Sequence, residues 1–207
     1  PAEEPGFVAR ARALARDRQI DLVLAYGVLV GADRLLFDDK YLFISDSGEI
    51  LEQYRKHHPV PGEPSIRGTE PLRVLERPYG RVAGAICYDY DFPALAREHA
   101  RLGADLVVLP SSDWRGIDPV HTFMARTRAI EGGFTLLRSV RWAPSGAFDA
   151  RGRTRAWMSA LDDTDGVMVA RVPVGRLSTN ATAVGDALAM AGLLLSAGLL
   201  LAAAVSS

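Results

Sequence analysis

The sequence predicts a mixed α/β domain followed by a C-terminal transmembrane helix. Short apolar runs typical of buried strands alternate with stretches of helical periodicity through the middle of the chain, and hairpin patterns lie on either side. The last stretch, residues 187–205, carries no charged side chain. We therefore expect a domain over residues 1–178, a linker over 179–186 and a membrane helix over 187–205.

The N-terminal half predicts a helix, a strand and a hairpin. Apolar residues recur at helical spacing over 7–17, and a continuous apolar run over 20–26 is typical of a buried strand. Strands over 40–45 and 50–56 flank a turn that contains a glycine, as in a β-hairpin. Residues 57–68 include three prolines and two glycines, so they are predicted to form a loop.

The next third predicts strands that alternate with helices. Residues 81–89 form an apolar run, and a helix is expected over 93–104, with Pro93 in its first turn and Gly103 as its C-terminal cap. Another buried strand is predicted over 104–110. The two helices of this region are expected to cover one face of a sheet.

The remaining elements begin with a second amphipathic helix. Asp118-Pro119 is a helix start signal, and a pair of glycines ends the periodic stretch that follows. A strand over 134–140, a hairpin over 146–157 and a last strand over 166–174 complete the domain.

The C-terminal stretch 187–205 has the length and apolarity of a membrane span. Its residues would extend roughly 28 Å as a helix, close to the thickness of a bilayer core. A buried helix of a soluble domain usually shows one polar face, but only Ser196 interrupts this run.

The composition excludes some partners and some kinds of stabilisation. The 207 residues carry a formal net charge of -1, which gives no electrostatic reason to expect nucleic acid as a partner. The single cysteine excludes an internal disulfide.

Three residues are candidates for chemistry. Cys87 lies at the end of a predicted strand just before a helix, whose N-terminus would favour the thiolate; a buried structural cysteine is the alternative. Lys56 directly precedes the proline-rich loop, and Glu63 lies within it. Each is either a solvated surface charge or, if the loop folds over Cys87, part of the same site. His57 and His58 lack further ligands at useful spacing, so we predict no metal site.

Five stretches taken together resemble the nitrilase superfamily of carbon-nitrogen hydrolases, and within it the apolipoprotein N-acyltransferases. They are YRKHHPVPGE (54–63), GAICYDYDFP (84–93), ADLVVLPSSDW (104–114), HTFMARTRAIE (121–131) and SGAFDARGR (145–153). The resemblance runs from about residue 7 to residue 205. It implies a nitrilase-like α-β-β-α sandwich whose N-terminal strand is missing, followed by a transmembrane helix.

The resemblance also implies a Glu-Lys-Cys site without metal or cofactor. Cys87 would be the nucleophile, Lys56 the lysine that stabilises the oxyanion, and Glu63 a second, loop-borne glutamate. The backbone N–H of Tyr88 would complete the oxyanion hole, and Trp114 would line the acyl pocket.

One residue of the family pattern is missing from the sequence. The family's general-base glutamate ends a strand that precedes the first helix, whereas this chain begins at the helix; Glu3 and Glu4 have no strand before them. We expect a fragment whose strand and glutamate lie upstream of Pro1, with an inactive relative as the alternative. A shortened loop around Glu63, and Asp89 in place of the family's glutamate, bear on the acceptor more than on the fold.

Three functions follow from this resemblance. The first is a membrane-anchored acyltransferase that moves an acyl group from a phospholipid to the N-terminal amine of a lipoprotein, on the outer side of a bacterial inner membrane. The second is an amidase or nitrilase-type hydrolase with a membrane tail. The third is an inactive domain of the same fold used for binding. The sequence predicts no oligomeric state.

Overall fold

The structure is a computed structural model that describes residues 2–31, 36–117, 119–160, 166–185 and 187–205. The side chains of residues 183, 188, 189, 201–203 and 205 also lie outside the description. The helices are α1 (Glu4–Arg18), α2 (Pro93–Arg101), α3 (Val120–Gly132), α4 (Asn180–Val184) and α5 (Ala187–Val205), with short 3-10 helices at Cys87–Asp91 and Arg115–Ile117. The strands are β1 (Leu22–Val30), β2 (Leu36–Ile44), β3 (Ile50–Arg55), β4 (Leu75–Arg77), β5 (Gly80–Gly84), β6 (Leu106–Ser112), β7 (Thr135–Arg141), β8 (Pro144–Phe148) and β9 (Thr154–Ser159).

The described strands form two sheets. β1, β2 and β3 make an antiparallel sheet, and β4 to β9 make a second sheet in sequence order. At the centre of the second sheet β5, β6 and β7 are parallel, with Val82 opposite Leu106 and Leu106 opposite Thr135. Parallel neighbours require a crossover connection, which α2 and α3 provide. The carboxyl ends of these strands therefore meet at one edge, where Cys87 and Asp113 follow β5 and β6.

The two sheets pack face to face between layers of helices. Side chains of β2 alternate, so that Tyr41 and Phe43 enter the core between the sheets while Leu42 and Ile44 pack against α1. Apolar residues of α2 and α3 cover the other face of the second sheet. The two sheets come close at Gly84. A side-chain carbon added there would lie only 2.6 Å from the Tyr41 hydroxyl oxygen. This is the α-β-β-α layering that the resemblance implies.

Some predicted boundaries differ from the structure. The strand predicted over 81–89 ends at Gly84, because Cys87 adopts a positive φ and begins a 3-10 helix instead. The short strand β4 was not predicted, since three residues are too few to show a period. The predicted helix start at Asp118 lies outside the described residues, and α3 begins at Val120.

The strand predicted over 166–174 is irregular chain that runs back over α3 and β7. The Thr135 hydroxyl donates to the Pro173 carbonyl (2.6 Å), and the Leu177 N–H donates to the Gly133 carbonyl (2.7 Å). Gly133 has a φ of 69°, and a side chain there would collide with the Leu177 carbonyl. The apolar alternation of residues 166–174 misled the prediction, because the side chains of Val167 and Val169 are mostly exposed.

The C-terminal region is helical, as predicted, but its assignment to the membrane is not supported. Within the predicted linker 179–186 the chain forms α4, and α5 then spans Ala187–Val205. Counting only residues whose placement is described, no helix is both long and apolar enough to cross a membrane.

Candidate active site

Cys87 lies just beyond the carboxyl end of β5 in an uncommon backbone conformation. The Ala85 N–H still donates to the Val108 carbonyl of the neighbouring strand (3.2 Å), and Ile86 remains extended. Cys87 then turns to a φ of 49°. A left-handed conformation in a residue with a side chain costs about 1–3 kcal/mol and is concentrated at functional sites.

Asp89 fixes this turn from inside the core. Its fully buried carboxylate accepts hydrogen bonds from the backbone N–H groups of Ile86 (3.0 Å) and His58 (2.7 Å) and from the Tyr54 hydroxyl (2.8 Å). These donors belong to the Cys87 turn, the loop after β3, and β3 itself. One carboxylate therefore joins the turn that carries Cys87 to the loop that follows Lys56, a role that the sequence analysis missed.

Lys56 and Glu63 form an ion pair beside the cavity. Lys56 follows β3, and its backbone is held by hydrogen bonds with Asp39 (2.9 Å) and Gly68 (2.8 Å). Its side chain is buried, and Nζ lies 2.7 Å from Glu63 Oε2. Burial alone would raise the pKa of Glu63, but hydrogen bonds from Lys56 and the Val60 N–H outweigh it, so the pKa is lowered. The proline-rich loop therefore does fold over the site.

Asp39 is a third group at this position, and the sequence analysis missed it. Its Oδ2 accepts a hydrogen bond from the Ser65 hydroxyl (2.8 Å) and lies 4.0 Å from Lys56 Nζ. Burial and the neighbouring charge of Glu63 raise the pKa of Asp39. The available signal was the pair of acidic residues Asp38 and Asp39 directly before the predicted strand 40–45, because acidic groups are seldom buried without a partner.

A cavity of about 1720 Å³ brings the predicted site residues together. Trp114 and Trp142 line this cavity and are each more than half exposed, so they form part of its mouth. Asp39 lines it as well. All five site residues predicted from the resemblance are among its lining residues: Cys87, Lys56, Glu63, Tyr88 and Trp114.

The thiol of Cys87 does not have the lowered pKa that a helix N-terminus would give. Its Sγ lies 3.8 Å from the Ser112 carbonyl oxygen and 3.8 Å from Asp113 Oδ1. Burial and the charge of Asp113 raise the thiol pKa, and the charges of Lys56 and Arg138 offset this only in part. The predicted preference for thiolate is therefore wrong, and the thiol predominates at neutral pH.

Buried charges continue behind Cys87. Arg138 donates to both oxygens of Asp113 (2.8 and 3.1 Å), whose Oδ1 also lies 2.9 Å from His121 Nδ1. His121 Nε2 lies 2.7 Å from Asp91 Oδ1. Cys87, Asp113 and His121 place possible ligand atoms within 4.8 Å of one another. The guanidinium of Arg138 would repel a metal cation at this position, and it already donates to both oxygens of the Asp113 carboxylate.

The remaining candidates have structural partners. The ring nitrogens of His57 lie 3.0 and 2.8 Å from the backbone carbonyls of Arg55 and Glu70, while His58 stacks on Phe92 with ring centroids 4.0 Å apart. Glu4 lies 2.7 Å from Lys40 Nζ and also accepts from the Tyr26 hydroxyl. Glu3 occupies the N-cap position of α1, and its side chain makes no capping hydrogen bond there. Neither glutamate is among the described residues that line the cavity.

Several known proteins with related sequences are amidases. The chain is 31% identical over 144 residues to the formamidase of Bradyrhizobium diazoefficiens, which covers 69% of this chain and 41% of that protein. It is 34% identical over 103 residues to the deaminated glutathione amidase of Mus musculus, across 44% of this chain and 32% of that protein. The chain therefore spans less than half the length of these relatives, and they do not support the predicted acyltransferase branch.

Solved structures give the same result for the fold. An amidase from a Nesterenkonia species matches with a TM-score of 0.64 and 25% identity over 73% of this chain and 62% of that chain. A carbon-nitrogen hydrolase from Helicobacter pylori matches with a TM-score of 0.71 and 19% identity over 83% of this chain and 68% of that chain. Residues 2–182 match the family described as carbon-nitrogen hydrolase. The chain thus belongs to the carbon-nitrogen hydrolase family of the nitrilase superfamily.

Proposed function

We propose that the protein is an amidase-type hydrolase that cleaves a small amide through a thioester on Cys87. The observation that carries the proposal is the position of Cys87, which lines the cavity in a left-handed conformation together with the ion-paired Lys56 and Glu63. The amidase relatives support this reaction class. In one structure of the Nesterenkonia amidase, the acetamide moiety of fluoroacetamide is added covalently at the active-site cysteine.

The reaction proceeds in two steps. Sγ of Cys87 attacks the amide carbonyl carbon while the thiol proton passes to a carboxylate, and the C–N bond then breaks as the leaving amine takes up a proton. Water attacks the resulting thioester, releases the acid and restores the thiol. Lys56 Nζ and the Tyr88 N–H are assigned to stabilise the oxyanion in both steps.

The proton acceptor is a carboxylate close to Lys56. Asp39 and Glu63 both approach this lysine, and only Asp39 has the raised pKa that suits a base working towards neutral pH. Asp39 is therefore assigned as the carboxylate that takes the proton from Cys87.

Ammonia release from formamide, acetamide and butyramide tests the proposal. We expect turnover by the wild-type protein, none by Cys87→Ala, and a Cys87 acyl adduct detectable by mass spectrometry. The alanine variant removes only the sulfur, so its thermal unfolding should match that of the wild type. Unchanged turnover in Cys87→Ala would contradict the proposal. Absence of both ammonia and adduct would favour the third interpretation, a non-catalytic binding domain.

A membrane-associated N-acyltransferase is the second candidate. The observation in its favour is α5, in which the described leucines, among them Leu193 and Leu200, are largely exposed. This candidate takes a phospholipid acyl donor and a lipoprotein amine acceptor on the outer side of a bacterial inner membrane. Incubation with phospholipid vesicles and an N-terminal cysteine peptide distinguishes the two, since acylated peptide without ammonia release would replace the amidase proposal.

A further inference from the structure

Four charged side chains lie behind Cys87 and take no part in the hydrolysis proposed above. We call Asp91, Asp113, His121 and Arg138 the Asp113 cluster. Arg138 is fully buried, and Asp113 and His121 are each only 3% exposed. Buried ions lose favourable hydration, so charges in such a position are retained only where each has partners.

The cluster contacts the nucleophile through one oxygen atom. Asp113 Oδ1 lies 3.8 Å from Cys87 Sγ, and the same oxygen faces His121 Nδ1 (2.9 Å) and Arg138 Nη2 (3.1 Å). On the far side of the imidazole, Nε2 faces the Asp91 carboxylate at 2.7 Å. Each member of the cluster comes from a different element. Asp91 ends the 3-10 helix that carries Cys87, Asp113 follows β6, His121 belongs to α3, and Arg138 belongs to β7.

The proton on His121 decides the net charge of the cluster. With both ring nitrogens facing carboxylates, the imidazole donates on both sides and is held as imidazolium. Burial and the charge of Arg138, 3.1 Å from Nδ1, act against this, but the bonds to Asp113 and Asp91 outweigh them and raise the pKa of His121 to about 9. At neutral pH the ring is therefore charged, which excludes it as the base that takes the thiol proton.

We propose that His121 is a positioning residue whose positive charge balances the Asp113 cluster and so sets how readily Cys87 ionises. With the proton in place, two carboxylates are matched by two cations. Without it, one negative charge remains in contact with Sγ and opposes the thiolate. Among the described residues, the cations that act on Cys87 are Lys56, from the loop after β3, and Arg138 of the cluster, and both favour the thiolate. The inference deepens the proposed hydrolysis but does not depend on amide turnover.

Alkylation of the lone cysteine by iodoacetamide tests this inference, because only Cys87 reacts. The rate is measured against pH in the wild type and in His121→Gln, Asp91→Asn and His99→Gln. In His121→Gln we expect the midpoint to rise by about one pH unit, which slows alkylation at neutral pH about tenfold. In Asp91→Asn the midpoint is expected at or below that of the wild type, because a negative charge is removed.

His99→Gln is the matched control. His99 is also buried and contacts the 3-10 helix through Tyr90 (2.9 Å), but burial lowers its pKa to about 4, so the substitution removes no charge. Its midpoint is expected to equal that of the wild type. A merely structural role would move all three variants in one direction.

Three results would overturn the inference. They are a His121→Gln midpoint at or below the wild-type value, an Asp91→Asn midpoint above it, and an equal shift in His99→Gln. Thermal unfolding verifies that each variant is folded. If His121→Gln does not fold, the direction of the Asp91→Asn shift decides alone, because Asp91 lies at the more accessible side of the cluster.

Discussion

Cys87 is subject to two opposing influences at the scale of the single residue. Its left-handed backbone places the side chain in the cavity, whereas burial and Asp113 raise the thiol pKa. The charge of Lys56 acts in the opposite direction. A thiol of this kind reacts only when its surroundings favour the thiolate, so the activity of the site depends on neighbouring charges as much as on the sulfur.

Lys56 is therefore expected to be essential for turnover. Lys56→Met removes both the charge that favours the thiolate and a donor to the oxyanion, and we expect kcat/KM to fall by at least about 100-fold. Lys56→Arg keeps the charge and should lose less. The measurement is amide turnover at constant pH, with iodoacetamide alkylation as the second readout. Wild-type turnover in Lys56→Met would rule out its assigned role.

The 3-10 helix Cys87–Asp91 shows how an element too short to be stable alone is held in place. A single turn fixes several dihedral angles for few hydrogen bonds, so its stability must come from tertiary contacts. Asp89 supplies these contacts, because its carboxylate accepts bonds from Ile86, His58 and Tyr54.

Asp89→Asn tests this dependence. An amide offers one acceptor oxygen and brings an NH₂ group towards existing donors, so we expect a loss of about 1–3 kcal/mol in the free energy of unfolding. Tyr54→Phe removes only one of the bonds and should cost about 1 kcal/mol. Urea unfolding followed by fluorescence measures both. Equal losses in the two variants would mean that Asp89 does not act through its several bonds.

At the scale of whole elements, helical periodicity was the more dependable signal. The predicted helices correspond to α1, α2 and α3, because each buries one face against a sheet. The prediction of a strand over 166–174 was wrong, since alternation of apolar and polar residues does not show whether a neighbouring strand is available for pairing. Sequence periodicity also gave no sign that Cys87 would leave the strand, because a backbone conformation fixed by Asp89 is a tertiary effect.

Across the whole molecule, two buried histidines sit in opposite electrostatic environments. His121 lies between carboxylates, which raise its pKa to about 9, while burial lowers the pKa of His99 to about 4. The usual value in an unfolded chain is about 6.5. Folding therefore favours the protonated form of His121 and the neutral form of His99.

Conformational stability should therefore be greatest near neutral pH. The contribution of His121 is present below about pH 6.5 and is lost as the pH rises through about 9, on the order of 3 kcal/mol. That of His99 is present above about pH 6.5 and is lost as the pH falls towards 4. Urea unfolding across this range measures both. His121→Gln should reduce the alkaline decline, to which the raised thiol pKa of Cys87 also contributes, and a decline of undiminished size would contradict the assignment.

From the sequence, only those residues of the candidate site that belong to a family motif could be predicted. The resemblance pointed to Cys87, Lys56, Glu63, Tyr88 and Trp114, and the structure places all of them around one cavity. It gave no role to Asp39, Asp89 or the Asp113 cluster. Their partners lie on separate strands, loops and helices and meet only when the chain has folded, so these contacts are consequences of topology.

The irregular chain over 166–179 sets a lower limit on how far the protein can be shortened. Thr135 is fully buried, and its hydroxyl donates to the Pro173 carbonyl, while Thr179 bonds to the Glu131 carbonyl near the end of α3. A chain cut after β9 would leave these groups without partners, at about 1–3 kcal/mol for each buried one. The smallest autonomous folding unit therefore extends past the last strand, to at least residue 179.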